Sequence, residues 1–239
     1  MLAENAQRAV ELGAPAIDLN FGCPAKTVNR HGGGASLLVD SRVLHDIVRS
    51  VRKAVPEHIP VTAKMRLGID STDELMDNAS AIYEAGANWL TIHARTKAQG
   101  YRPPVNWEAI GQVKSSYPEW EIIANGDISS LPALQACREA TGCDTFMVGR
   151  SAVSEPDLVA RLKQPHLKAM PWDEINNWQL HFLRKLVGTE NGLVGRYKQW
   201  LAMTATHYPE AAAQFQRIKR LKKIAEIEAL SSFVEIESE

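Results

Sequence analysis

Two periods of apolar residues alternate along about the first 150 residues of the chain. Five short apolar runs have the length of strands, and segments with apolar residues at helical spacing separate them. Strands that alternate with helices in this way predict parallel βαβ units. We place the strands at 16–20, 60–65, 89–94, 121–124 and 145–148, and the intervening helices at 41–54, 72–85, 107–115 and 131–140.

The ends of the helices and the faces of the strands add to this prediction. A helix at the start of the chain ends at Gly13, and Gly86 ends a later helix, because glycine readily adopts the left-handed conformation that follows a helix. The strands are apolar over nearly their whole length, which is expected when helices cover both faces of a sheet.

Five strands are fewer than the eight of a closed barrel. We therefore expect an α/β chain whose residues 1–163 form the later part of a TIM (β/α)₈ barrel, truncated at its N-terminus. After Pro171 the apolar residues have helical spacing without convincing strands. Residues 172–239 are therefore predicted to form a separate helical domain.

The amino-acid composition limits the classes of protein to which the chain can belong. The 239 residues are 45% hydrophobic and 23% charged, which is ordinary for a globular chain. No apolar stretch reaches the roughly 20 residues that cross a membrane, and the N-terminus has no leader-like pattern. Three cysteines without a CxxC pair indicate a reducing cytoplasm. His and Cys residues lack metal-ligand spacing, so we predict no metal site, and we expect a monomer.

Charge alone does not indicate a nucleic-acid-binding protein, because the net charge is −1. The segment QRIKRLKK at 216–223 is nevertheless strongly basic. On its charge alone this segment is more simply explained as a solvated helix face.

Polar and reactive residues follow the carboxyl end of every predicted strand. In a barrel of parallel strands these ends share one rim, where active sites lie. Core packing does not require such residues at five strand ends, so we predict a functional rim. Its members are Asn20, Cys23, Lys64, Arg66, His93, Arg95, Asn125, Gly126, Asp127, Gly149 and Arg150.

Three parts of this rim have alternative interpretations. Asn125-Gly126 and Gly149-Arg150 end the last two strands, where this fold commonly binds phosphate, although tight turns with a surface arginine also explain them. Lys64, inside an apolar strand, is a Schiff-base lysine, a cation beside an anionic cofactor or half of a buried ion pair. Cys23 is an inert small side chain, or a proton donor or nucleophile on a rim loop.

The segment His31-Gly32-Gly33-Gly34 is similar to the oxyanion loop of esterases. The chain has no GxSxG nucleophile motif, and the glycine spacing is not that of a dinucleotide fingerprint, so neither function is predicted. We expect a flexible loop before the next helix.

A series of motifs, taken in order, resembles those of the tRNA-dihydrouridine synthases. They are DLNFGCPAKTVNRHGGGASLL, VTAKMRLG, TIHARTKAQGYR, IIANGDI and FMVGRSAV. The later GRYKQWLAM and FQRIKRL are most similar to the C-type bacterial subfamily, which acts on position sixteen of the tRNA D-loop. The resemblance implies an FMN-dependent (β/α)₈ barrel with a C-terminal helical domain, which reduces a uracil in tRNA with NADPH. Roughly three βα units of that family, including part of its flavin wall, would precede Met1.

The resemblance also implies roles for individual residues. Cys23 would protonate uracil C5 while the flavin delivers hydride to C6, and Asn20 would hydrogen-bond the flipped-out uridine. Lys64 and His93 would lie beside the flavin or, for His93, beside the base. The FMN phosphate would be held by Asn125, Gly126, Asp127, Gly149 and Arg150, and the tRNA would be contacted by Arg95, Tyr101, Arg196, Lys198 and Lys219.

The same resemblance favours phosphate contacts for the basic C-terminal helix, whose residues Phe215, Ile218 and Leu221 would face the bundle. Two other functions stay open. A flavin barrel can act on a free pyrimidine, although the basic C-terminus disfavours this substrate. A truncated chain can also be an inactive homologue that still binds tRNA.

Overall fold

The computed structural model describes residues 1–185 and 187–230. They form two compact units. The first contains Met1–Ile128 and Pro132–Met147, and the second contains Ser129–Leu131 and the residues from Val148 onward. Residues 148–163 thus belong to the second unit, whereas the sequence places them with the barrel; a domain boundary near 163 stays a prediction.

The first unit is built on a five-stranded parallel sheet whose strands lie in sequential order. The prediction of parallel βαβ units is confirmed, and the predicted strand positions agree with the observed ones to within a residue or two. The strands are β1 (Ile17–Phe21), β2 (Val61–Arg66), β3 (Trp89–His93), β4 (Glu121–Asn125) and β5 (Thr145–Met147).

Helices connect the strands. They are α1 (Leu2–Glu11), α2 (Lys26–Arg30), a 3₁₀ helix (Gly34–Val39), α3 (Ser41–Ala54), α4 (Leu75–Glu84), α5 (Trp107–Ser116) and α6 (Leu131–Thr141). In α3 the Asp40 side chain caps the first turn by accepting a hydrogen bond from the Arg42 N–H. Leu44, Val48 and Val51 of the same helix are fully buried, so its apolar stripe faces the core.

The two faces of the sheet differ. One face carries apolar residues such as Leu19, Ala63 and Leu90, which are buried. The other face carries mostly polar residues, and Asp18 at its edge is exposed. The expectation of strands that are apolar on both faces is therefore wrong. Side chains alternate along a strand, and the polar positions form a second, more accessible surface.

The backbone at two glycines and at residues 31–34 can be compared with the sequence predictions. Gly13 and Gly86 follow α1 and α4 with φ of 92° and 93°, so their predicted role at helix ends is confirmed. The expectation of a loop before the next helix is confirmed for residues 31–33, and its flexibility stays a prediction. The His31 and Gly33 N–H groups both donate to the Val28 carbonyl, and Gly34 begins the 3₁₀ helix.

The second unit is helical in the part that the structure describes. It contains α7 (Arg150–Ser154), α8 (Leu158–Lys163), α9 (Trp172–Lys185), α10 (Glu190–Thr204), α11 (Pro209–Ile218) and α12 (Ile224–Leu230). Its core includes Tyr197, Leu201 and Ile218, with Phe215 and Leu221 packed against them. The basic segment is not one helix, because α11 ends at Ile218 and residues 219–223 connect it to α12. The prediction that Phe215, Ile218 and Leu221 face the bundle is confirmed.

Candidate active site

The register of the sheet brings several predicted rim residues together. Arg66, His93 and Asn125 are paired neighbours at the carboxyl ends of β2, β3 and β4. Asn20 and Lys64 are paired in the row two residues below. Because paired residues of parallel strands project from the same face, these five side chains share the polar face of the sheet.

The loop after β1 holds Cys23 by its backbone. The Gly22 and Cys23 N–H groups both donate to Asn20 Oδ1, at 3.0 and 3.1 Å. The Cys23 carbonyl accepts from Asn29 Nδ2 at 2.7 Å. The thiol is partly exposed, and Cys23 lies near enough to Arg66 for their charges to interact. Asn20 therefore shapes the loop that carries Cys23.

Arg66 links two loops of the rim. Its Nε donates to the Gly22 carbonyl at 2.9 Å, and its Nη1 donates to the carbonyls of Thr96 and Gly100 at 3.0 and 2.8 Å. The side chain is 3% exposed, and burial is the main cause that lowers the pKa of its guanidinium. The guanidinium carbon lies 5.5 Å from the centre of the Tyr101 ring. The sequence placed Arg66 on the rim without a role; its spacing of two from Lys64 puts both on one face of β2.

Lys64 is partly buried in the middle of the polar face. Among residues 1–185 and 187–230, no hydrogen bond or ion pair engages its ammonium group. Burial, followed by the charge of Arg66, lowers the pKa of Lys64, while Asp18 acts in the opposite direction. The interpretation of Lys64 as half of a buried ion pair is therefore wrong in this structure.

His93 is a neutral imidazole surrounded by cations. It is 7% exposed, and burial, followed by the charges of Arg66, Lys64 and Arg95, lowers its pKa to about 3, while Asp127 acts in the opposite direction. Its Nδ1 is buried and has no hydrogen-bond partner in the described part of the chain. The Tyr101 ring approaches edge-on, with the ring centres 6.3 Å apart. A buried nitrogen without a partner is costly unless a ligand satisfies it.

Arg95 and Asp127 bind each other. The two Nη atoms of Arg95 donate to the two carboxylate oxygens of Asp127, and Arg95 Nε donates to the Arg102 carbonyl at 2.8 Å. Arg95 is 1% exposed. In this structure the pair fixes the loop that follows β3 against the turn that follows β4, where Asp127 has a φ of 50°.

The turn at Asn125 and Gly126 is also held by hydrogen bonds and close contacts with other residues of the first unit. Asn125 Nδ2 donates to the Met147 carbonyl at 2.8 Å, and the Gly126 carbonyl accepts from Trp107 Nε1 at 3.0 Å. A side chain at Gly126, where φ is 134°, would place Cβ 3.2 Å from Ala94 Cβ. Packing thus explains the glycine, and phosphate binding at this turn stays a prediction.

The predicted site residues of the second unit are placed as follows. Gly149 precedes α7, and Arg150 is the first residue of that helix. Arg196 and Lys219 are exposed. Lys198 is partly buried, and its Nζ donates to the carbonyls of Lys219 and Leu221 at the end of α11, as cations commonly do at a helix C-terminus.

Comparison with known proteins defines the family. The dihydrouridine synthase family model matches residues 1–231. The tRNA-dihydrouridine(16) synthase of Pseudomonas putida is 45% identical over 235 residues, which cover 96% of this chain and 72% of that protein. The protein of the same name from Escherichia coli K12 is 41% identical over 241 residues, covering 99% and 75%. The chain belongs to the dihydrouridine synthase family.

The protein is therefore an oxidoreductase. Phosphonopyruvate hydrolase, solved as a complex with oxalate and Mg²⁺, has a similar structure with a TM-score of 0.51 and 18% identity over 96% of this chain and 83% of that one. At this identity the similarity concerns the fold alone. Together with the parallel sheet it places the first unit in the TIM-barrel class.

Among residues 1–185 and 187–230, none of the helices has the continuous apolar length that a membrane span requires. The same residues contain no group of three or more His, Cys, Asp or Glu side chains that could hold a metal ion.

The rim has an excess of positive charge. Asp127 neutralises Arg95, but no carboxylate within the described ranges forms an ion pair with Lys64 or Arg66. Buried or half-buried cations without counter-ions are unfavourable unless an anionic group joins them. The charge fits a negatively charged ligand, and the unpartnered His93 Nδ1 fits a ligand that forms a hydrogen bond with it.

Proposed function

We propose that this chain reduces a uridine of the tRNA D-loop, at position 16, to 5,6-dihydrouridine, with FMN as cofactor and NADPH as electron donor. The observation that carries the proposal is the partly buried Lys64, whose ammonium has no partner in the described residues, on the same rim as the Cys23 loop. The relatives named tRNA-dihydrouridine(16) synthase support the substrate.

The rim fits the cofactor. Bound FMN supplies the hydride that the reduction of a uracil ring requires. Lys64 and His93 would hold the ring system, since a cation and an imidazole with a free nitrogen suit a ring that gains electron density. Asn125, Gly126, Asp127, Gly149 and Arg150 would hold the phosphate. We propose that Asp127 does so indirectly, by fixing the turn after β4 through its ion pair with Arg95, because its own carboxylate repels phosphate.

Cys23 would supply the proton. Reduction of the C5–C6 bond adds hydride to C6 and a proton to C5, so the site needs one acid beside the substrate. The Cys23 thiol is partly exposed on a fixed loop at the rim, and its sulfur becomes a thiolate when it gives up the proton. Arg66, which donates to the Gly22 carbonyl, would help to hold the loop that carries this thiol.

Other residues would bind the RNA. Asn20 Oδ1 already accepts hydrogen bonds from the loop that carries Cys23, so its Nδ2 would be the group that donates to the flipped-out uridine. Tyr101 is 55% exposed and suits stacking, and Arg196 and Lys219 suit phosphate contacts. Lys198 has a third N–H for the same purpose. Arg95 is buried, so we propose that it acts on tRNA through the loop it holds.

The test is dihydrouridine formation in a tRNA transcript incubated with the chain, FMN and NADPH. We expect product with the wild-type chain and a rate about 10²–10⁴ times lower for Cys23→Ala, because a positioned acid contributes that much. The flavin absorbance of this variant should be unchanged. Cys143→Ala is the matched control, because Cys143 is fully buried in the core and should affect the rate per folded molecule little.

The two other functions predict different results. A free-pyrimidine oxidoreductase would reduce uracil or uridine and leave the transcript unchanged. A tRNA-binding homologue without activity would retain the transcript in a binding assay and form no dihydrouridine even when loaded with flavin. Either result would overturn the proposal.

A further inference from the structure

Asn29 lies beside Cys23, and it is not one of the residues that would bind FMN or tRNA. Its Nδ2 donates to the Cys23 carbonyl at 2.7 Å. We infer that Asn29 is a positioning residue, which fixes the backbone from which the Cys23 thiol projects by holding the peptide group that follows it. The inference rests on the proposed role of Cys23 as the acid.

The carbonyl of Cys23 is held from two directions. Besides Asn29, the Ala35 N–H donates to it at 3.0 Å. Asn29 belongs to α2, and Ala35 belongs to the 3₁₀ helix that follows. Two separate elements thus converge on one carbonyl group. A single surface turn does not need this arrangement.

Gly34 makes the convergence possible. Its φ is 61°, and a Cβ there would lie 2.7 Å from the Cys23 carbonyl oxygen and 3.0 Å from Cys23 Cβ. Both the left-handed backbone and the close approach require glycine. The glycine-rich segment 31–34, which serves neither an esterase nor a dinucleotide site, therefore has a function here: it lets the backbone pack directly against the acid's own residue.

The peptide group before Cys23 is fixed as well. The Cys23 N–H donates to Asn20 Oδ1 at 3.1 Å, and the Gly22 carbonyl accepts from Arg66 Nε at 2.9 Å. With both flanking peptide groups held, rotation about the Cα–Cβ bond is the main freedom left to the thiol. Small misplacements of a reacting group reduce rates by large factors, so such fixation has a direct effect on catalysis.

Asn29 acts through the N–H group of its side-chain amide, and the amide oxygen is not needed for this role. Within the described residues, its Oδ1 is buried and has no hydrogen-bond partner. Ser36 offers a matched comparison, because its Oγ donates to the Gly33 carbonyl at 2.9 Å in the same segment but does not contact Cys23.

The experiment compares Asn29→Ala with Ser36→Ala by two measurements on the full chain. The first is the rate at which iodoacetamide alkylates Cys23 between pH 6 and 10; Cys137 and Cys143 are fully buried, so the labelling of the folded chain reports Cys23. The second is kcat and KM for tRNA. For Asn29→Ala we expect the rate of Cys23 alkylation at a given pH to differ from that of the wild type by at least about threefold. We expect kcat to be about tenfold lower and KM for tRNA to stay within about twofold of the wild-type value. Ser36→Ala should match the wild type in both.

Gly34→Ala provides a second variant with a larger expected change in alkylation, and circular dichroism verifies that each variant is folded. The inference is overturned if Asn29→Ala alkylates like the wild type, or if Ser36→Ala has the same effect as Asn29→Ala. Alkylation needs neither flavin nor tRNA. If the wild-type chain forms no dihydrouridine, the proposed function fails, while the labelling still decides whether Asn29 fixes the backbone that carries the thiol.

Discussion

Both ends of the sheet contain cations that are partly or fully buried. The two ends differ in whether these cations have hydrogen-bond partners within the protein. At the amino end, Arg52 donates to the carbonyls of Val55, Pro56 and Ile59 at 2.8, 2.6 and 2.9 Å. Lys114 Nζ donates to the carbonyls of Pro118 and Trp120 at 2.7 and 3.1 Å. Each cation at this end has backbone acceptors from connections between elements.

At the carboxyl end, Lys64 has no acceptor in the described residues, and the neutral His93 has an unpartnered nitrogen. Arg66 does bind three carbonyls, as Arg52 does, but it lies beside two further cations. Arg52 and Lys114 at the amino end are therefore satisfied by the protein itself, whereas the carboxyl end retains unsatisfied groups that a ligand can use. This division is the one expected of a barrel whose active site lies at the carboxyl ends of its strands.

The largest expected contrast comes from replacing one cation at each end by methionine. Lys64→Met should leave the free energy of unfolding unchanged or higher, because it removes a half-buried charge, and should weaken flavin binding at least about tenfold. Arg52→Met should lower the free energy of unfolding by about 2–4 kcal/mol, because it leaves carbonyl groups without their donor, and should leave flavin binding unchanged.

Guanidinium-induced unfolding and flavin titration monitored by absorbance measure the two quantities. If Lys64→Met destabilised the chain as much as Arg52→Met, Lys64 would have a structural partner, and the contrast between the two ends would fail.

A second contrast concerns pH. The pKa of His93 is lowered from 6.5 to about 3, so between these values the unfolded chain binds a proton that the folded chain does not. Stability must then fall as the pH falls below about 6.5, with a slope of about 1.4 kcal/mol per pH unit from this group. We expect the difference in unfolding free energy between the wild type and His93→Gln to show this slope down to about pH 4.

The measurement uses urea unfolding of the flavin-free chain at several pH values. A difference that stays constant with pH would mean that His93 is protonated in the folded chain and that its neighbours do not repel a proton.

The smallest effect is expected at the amino end. Trp120 Nε1 donates to the carbonyls of Ala87 and Asn88 at 3.0 and 3.1 Å, and its ring packs against Tyr83 and Tyr117. Trp120→Phe should retain most of the ring contacts and lose the hydrogen bonds, at a cost of about 1 kcal/mol. Thermal unfolding measures this loss. Alkylation of Cys23 should be unchanged, and a change there would show that the two ends are coupled.

The amino-acid sequence by itself determined the five strands and the longer helices of the first unit, but not α2 and the 3₁₀ helix. The strand and helix positions follow from local periods of apolar residues, which a strand or helix imposes on any chain that buries one of its sides. The glycines at 13 and 86 were predictable for the same local reason. The gathering of polar residues at strand ends was also predictable, since parallel strands necessarily bring their carboxyl ends to one edge.

Only the tertiary structure decided which partners these residues take. Arg66 binds carbonyls of residues 30, 34 and 44 positions away, and no local pattern specifies such pairs. The mutual engagement of Arg95 with Asp127, the use of Lys198 at the end of α11 and the packing of Gly34 against Cys23 have the same origin. Periodicity tells which side of an element is buried, whereas the acceptor that lies within 3 Å of a given donor depends on how distant segments pack.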